Sequence, residues 1–167
     1  MNLILCGMMG CGKSTVGALL AKACARVFVD TDAVIVEKYG KITEIFQQYG
    51  EVYFRDLETE LVKELVQKDG QVLALGGGLV LRKENVRLLK ENGYIVFLRA
   101  GKVTLLSRVR ADKNRPLLQT EQSLEDRLDE LLRARLPIYE RVADFSISVD
   151  GKTPKEIVEE IIGIGQV

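Results

Sequence analysis

The chain has no histidine and only three cysteines, Cys6, Cys11 and Cys24. An odd cysteine count without paired spacing speaks against a disulfide framework, and the missing histidines weaken any zinc site. The cysteines read as small apolar residues of a reducing compartment, with Cys11 placed in a glycine loop where oxidation would be a side effect. Net charge is lacking too. Lysine plus arginine and aspartate plus glutamate number 24 each, so nothing global points to a nucleic-acid or membrane partner. No apolar run approaches the roughly 20 residues of a membrane span. The short apolar start has no basic n-region, so no signal peptide is expected and the location expected is cytoplasmic. Repeats, low-complexity tracts and linkers are also missing, and 167 residues fit one domain over 1–167 with a core needing no staples.

What the chain does contain is alternation. Strand-like runs occupy 3–6, 27–29, 72–75, 95–98 and 145–149, and helical periodicity fills 14–25, 32–39, 52–68, 83–92, 102–110, 123–141 and 153–162. Pro137 is expected to end or kink the sixth helix. Strands separated by helices predict an open α/β fold with a mainly parallel sheet. Two stretches break the rhythm. The residues between Val29 and Val72 hold two or three helices and no strand, more than a crossover needs. The polar stretch 111–122, "ADKNRPLLQTEQ", reads first as a surface loop, with a lid carrying Arg115 as the alternative.

Gly7, Gly12, Lys13 and Ser14 satisfy G-x-x-x-x-G-K-[ST] between a predicted strand and a predicted helix. Glycines let successive backbone N–H groups converge on an anion, and the helix start adds its positive dipole end. Lys13 then reaches the outer phosphates of a nucleotide and Ser14 supplies a Mg²⁺ ligand.

Phosphoryl transfer also needs an acceptor, charge neutralisation and a group to orient or deprotonate the nucleophile. "FVDTD" places Asp30 and Asp32 two apart at the end of the second strand, on one side if the segment is extended. One would assist Mg²⁺ and the other accept a hydroxyl proton; the simpler alternative is a cap on the next helix. "GEVYFRDLE" puts Arg55 and Glu58 at i, i+3 beside a stripe of Phe54, Leu57 and Leu61. That is an ordinary surface bridge unless Arg55 faces an anionic substrate. "VLALGGGLVL" runs a buried strand into Gly76, Gly77 and Gly78, which leave backbone open to a ligand. "NRPLL" and "RARLPIYERVAD" add Arg115, Arg133, Arg135 and Arg141.

In this order, the phosphate loop, D-x-D, F-R-x-x-E, G-G-G, R-P-L-L and R-x-P-x-Y-x-x-x-A resemble the shikimate kinase family over essentially the whole chain. The resemblance implies the three-layer P-loop kinase fold, a parallel sheet in order 2-3-1-4-5 with helices on both faces. It also implies a substrate-binding insertion at 32–69 and a lid at 111–122. The implied reaction moves the γ-phosphoryl group of ATP, with Mg²⁺, to the 3-hydroxyl of shikimate, a cyclohexene carboxylate. Asp32 is the implied base and hydroxyl ligand; Lys13 and Arg115 would neutralise the moving group. Arg55 and Arg135 would clamp the carboxylate, Glu58 would hold Arg55, and the backbone of Gly77 and Gly78 would meet the hydroxyls. Gly10, Cys11, Gly12, Lys13, Ser14 and Thr15 would wrap ATP, with Arg108, Arg115 and Pro154 completing its site. Ser14 and Asp30, the latter through water, would serve the metal. Cys11 departs from the family's commoner alanine. The chain stops soon after the last helix, so no fused enzyme is expected, and with no spare amphipathic seam a monomer is expected. Two rivals remain: a gluconate kinase of the same fold, opposed by R-P-L-L and F-R-x-x-E, and a catalytically dead ATP-binding module, opposed by the intact Asp32, Arg55, Arg115 and Arg135.

Overall fold

Alternating strands and helices close into one parallel sheet. The computed structural model describes residues 1–109 and 123–165. Its elements are β1 (Asn2–Cys6), α1 (Lys13–Ala23), β2 (Val27–Asp30), α2 (Thr31–Tyr39), α3 (Ile42–Leu65), β3 (Gln71–Ala74), a 3₁₀ turn (Leu79–Leu81), α4 (Lys83–Asn92), β4 (Gly93–Arg99), α5 (Lys102–Val109), α6 (Leu124–Val142), β5 (Phe145–Ser148) and α7 (Pro154–Gly163). The strand order is β2-β3-β1-β4-β5 and every pairing is parallel. The expected lid and Arg115 lie outside the described residues.

This order explains where a ligand can sit. From β1 the chain crosses through α1 to β2 on one side, whereas from β3 it crosses through α4 to β4 on the other. Right-handed crossovers in opposite directions place α1 and α4 on opposite faces of the sheet. The adjacent strands β1 and β3 therefore lead away from each other at their carboxyl ends, and a crevice opens there. β1 sits at the centre of the sheet, with all five residues buried. The helices seal the faces with apolar stripes, such as Val16, Leu20 and Ala21 of α1 and Ile157, Val158 and Ile161 of α7. Among the described residues no helix is long and apolar enough to cross a membrane.

One local reading changes and another, at Pro137, is narrowed. The expected helix at 52–68 begins ten residues earlier, at Ile42, because α3 continues through a break at Gly50. Gly50 has φ 82°, and a Cβ there would meet open space, so backbone conformation rather than packing calls for glycine. Pro137 does not end α6, which runs on to Val142. Buried residues on both sides of it, Leu128, Leu131, Arg135, Tyr139 and Val142, hold the helix where the proline removes one backbone donor.

Candidate active site

The loop after β1 turns through positive φ at Gly7, Gly10 and Gly12 before entering α1. Gly12 caps that helix with no side-chain hydrogen bond, so its first-turn N–H groups stay available to an anion. Lys13 folds back along the loop, its Nζ donating to the carbonyls of Gly7 at 2.8 Å and Met8 at 2.9 Å. A cavity of about 300 Å³ opens over it, lined by Gly10, Gly12, Lys13, Ser14, Thr15, Asp30, Asp32, Leu75, Gly77 and Arg108. Cys11 is wholly buried, which removes the expected access for oxidants. Cys6 is sealed as well, and burial pushes its thiol up to about 12 against the pull of Lys13.

Asp30 and Asp32 do not share one extended segment, because α2 begins at Thr31, between them. Asp30 takes the capping role that the sequence offered as the simpler alternative, and it also meets Ser14. Its Oδ1 caps α2, accepting from the N–H of Asp32 at 3.0 Å and Ala33 at 3.2 Å, while Oδ2 accepts from the Ser14 hydroxyl. Asp32, one residue inside the helix, still lines the cavity. Thr31 fixes this corner, its hydroxyl accepting the Gly76 N–H at 2.8 Å.

The glycine run after β3 is explained by what fills the space of its missing side chains. A Cβ on Gly76 would lie 2.4 Å from Asp32 Oδ1, and one on Gly78 would lie 2.3 Å from Arg55 Nη2. A Cβ on Gly77 would meet Arg135 Nη1 at 3.4 Å and the Tyr139 hydroxyl at 3.6 Å. Three separate elements, α2, α3 and α6, thus deliver polar groups onto this one turn. Arg55 and Arg135 are both buried, whereas Arg133 and Arg141 are exposed.

Arg55 is no surface bridge. Its Nη1 donates to Glu58 Oε2 at 2.7 Å and its Nη2 to Glu51 Oε1 at 3.0 Å. Glu58 is 1% exposed, and its Oε1 has no hydrogen-bond partner among the described residues. Burial pushes the Glu58 carboxyl up to about 7, with the Asp32 charge adding to the rise and Arg55 opposing it. A carboxyl raised in the fold holds its proton more tightly than the unfolded chain does. Its contribution to stability therefore falls as pH rises from about 4.5 to about 7. Glu58→Gln removes that contribution. The melting temperature of the parent relative to E58Q is expected to drop between pH 5 and pH 7.5; a constant difference would refute the assignment.

Several structural partners were not visible in the sequence. Arg108 Nη1 donates to the carbonyls of Gly10 at 3.3 Å and Cys11 at 3.0 Å, which sets its guanidinium on the phosphate loop. Asp150 anchors the start of α5, accepting from the Gly101 N–H and from Thr104 Oγ1 at 2.6 Å. Those bonds, Thr104's foremost, lower the Asp150 carboxyl. Pro154 opens α7 behind a capping box of Thr153 and Glu156 and is not among the residues lining the cavity. Tyr139 stands in the quoted R-x-P-x-Y run but was not read as a site residue; its i+4 spacing from Arg135 was the available signal.

A phosphate loop at the switch point of a 2-3-1-4-5 sheet, faced by a carboxylate and buried arginines, defines a P-loop kinase acting on a small molecule. Comparison with known proteins narrows this. A family model described as shikimate kinase matches residues 9–164. The shikimate kinase of Thermodesulfovibrio yellowstonii is 48% identical over 162 residues, covering 96% of this chain and 92% of that one. That of Sulfurihydrogenibium sp. is 44% identical, covering 96% and 95%. Among solved structures, shikimate kinase from Acinetobacter baumannii in complex with shikimate superposes with a TM-score of 0.93 at 40% identity, covering 98% of this chain and 91% of that one. A gluconokinase from Sinorhizobium meliloti, at 16% identity and a TM-score of 0.56 over 97% and 89% of the two chains, shares the fold alone. The chain belongs to the shikimate kinase family.

Proposed function

We propose that the protein transfers the γ-phosphoryl group of ATP to the 3-hydroxyl of shikimate, giving shikimate 3-phosphate on the route to chorismate and the aromatic amino acids. The observation that carries this is the convergence of buried Arg55 and Arg135 on the glycine turn beside the phosphate loop. Two guanidinium groups suit a carboxylate, and the backbone of Gly77, which lines the cavity with Asp32, suits a polyol.

In this reading Asp32 accepts the proton of the attacking hydroxyl, and Lys13 offsets charge on the moving group. Arg55 and Arg135 grip the substrate carboxylate while Glu58 holds Arg55. The N–H groups of Gly77 and Gly78 meet the substrate oxygens. Gly10, Cys11, Gly12 and Thr15 wrap the phosphates, with Arg108 and Pro154 at the nucleotide. Ser14 and Asp30 present hydroxyl and carboxylate oxygens side by side, a hard donor set that fits Mg²⁺, with Asp30 acting through water. The ion, when bound, would offset charge on the β- and γ-phosphates. Residues 32–69 form the substrate-binding insertion; the expected lid at 111–122 with Arg115 lies outside the described residues. The protein acts as a cytoplasmic monomer without nucleic-acid or membrane partners, in keeping with its zero net charge.

An ADP-release assay with shikimate, gluconate and nucleoside monophosphates tests the reading. Turnover is expected with shikimate alone. Turnover on gluconate but not shikimate would overturn it, and ATP binding without turnover on any would favour a dead module.

A further inference from the structure

We propose that Tyr139 is a positioning residue for the acceptor: its hydroxyl fixes the peptide between Gly77 and Gly78, beside the guanidinium of Arg135. The inference rests on shikimate as the substrate. Tyr139 is wholly buried in α6, its ring stacked on Phe97 with centroids 5.3 Å apart. From there its hydroxyl donates to the Gly77 carbonyl at 2.5 Å and contacts Met8 Sδ at 3.8 Å. Met8 belongs to the phosphate loop. One buried oxygen therefore touches donor loop and acceptor turn together.

The peptide geometry gives this contact a consequence. In a trans peptide the C=O and the following N–H point in opposite directions. With the Gly77 carbonyl held down onto Tyr139, the Gly78 N–H is turned away from α6. Neither the Gly77 N–H nor the Gly78 N–H donates a hydrogen bond among the described residues, so both remain available to a substrate oxygen. Glycine allows many peptide orientations here, and a single strong acceptor contact selects one.

Arg135 stands over the same glycine, and its charge acts on the Tyr139 phenol. Arg135 is four residues earlier on the same face of α6, and its Nη1 lies 3.4 Å from the Cβ position of Gly77. Burial pushes the Tyr139 phenol well above its usual range despite that charge. The hydroxyl thus keeps its proton for Gly77.

Tyr139→Phe removes the hydroxyl and keeps the ring. Its KM for shikimate is expected to rise roughly three- to tenfold, the scale of one lost hydrogen bond. The KM for ATP should stay within twofold and kcat should change little. Phe97→Leu is the packing control. It loosens the stack but spares the hydroxyl, so it should lower the melting temperature and leave the shikimate KM within twofold. An unchanged shikimate KM in Y139F, equal rises in both KM values, or the same rise in F97L would each overturn the proposal. Failure of the parent protein to turn over shikimate would instead overturn the functional reading beneath it.

Discussion

Asp32→Asn is expected to lower kcat on shikimate by roughly 10²- to 10⁴-fold, the usual span for removing a general base. Affinity for ATP should stay within about threefold. The reason lies in how the two carboxylates of the cavity are used. Asp30 has both oxygens engaged, one by backbone N–H groups of α2 and the other by the Ser14 hydroxyl. Asp32 reaches instead across to the glycine turn, its Oδ1 filling the space above Gly76. Asparagine preserves that shape but cannot accept the proton. Steady-state kinetics with an ATP-binding titration separates the two effects; kcat within tenfold of the parent would remove Asp32 as the base.

Arg55→Ala carries the second large effect, and it has two parts. Loss of a charge-assisted contact to the substrate carboxylate should raise the KM for shikimate roughly 10- to 100-fold, with the KM for ATP nearly constant. The protein should also melt at lower temperature. Glu58, 1% exposed, would lose its Nη1 partner at 2.7 Å, and removing one member of a buried pair is costly. Part of that cost is relieved because Glu58, already raised to about 7, would take up a proton more readily still. The melting-temperature deficit should therefore be smaller at pH 5.5 than at pH 8. A parallel rise in the KM for ATP would point to general damage, and an unchanged KM for shikimate would remove Arg55 from the clamp.

The phosphate loop was legible because everything it needs is contiguous. Its chemistry uses consecutive backbone N–H groups, and Gly12, Lys13 and Ser14 follow one another at a helix start. The strand order was legible only through resemblance, since a chain of alternating strands and helices admits several orders. The D-x-D geometry was misread, because the sequence suggested one extended segment where Thr31 starts a helix and bonds to Gly76. The break at Gly50 hid the first half of α3 for a similar reason: a left-handed residue interrupts the periodicity without ending the element.

The sequence by itself determined the alternating fold class, the phosphate loop and the residue types at the acceptor side. Only the tertiary structure decided why those types work together. Arg55 and Glu58 are an ordinary i, i+3 pair by spacing, yet the turn at Gly76, Gly77 and Gly78 roofs that region and makes it a buried ion pair. Tyr139 belongs to the site only because α6 sets its hydroxyl under Gly77, 62 positions away in sequence. Periodicity reports which face of a helix is buried. What that face meets depends on strand order and crossover direction, which bring α2, α3 and α6 to one crevice.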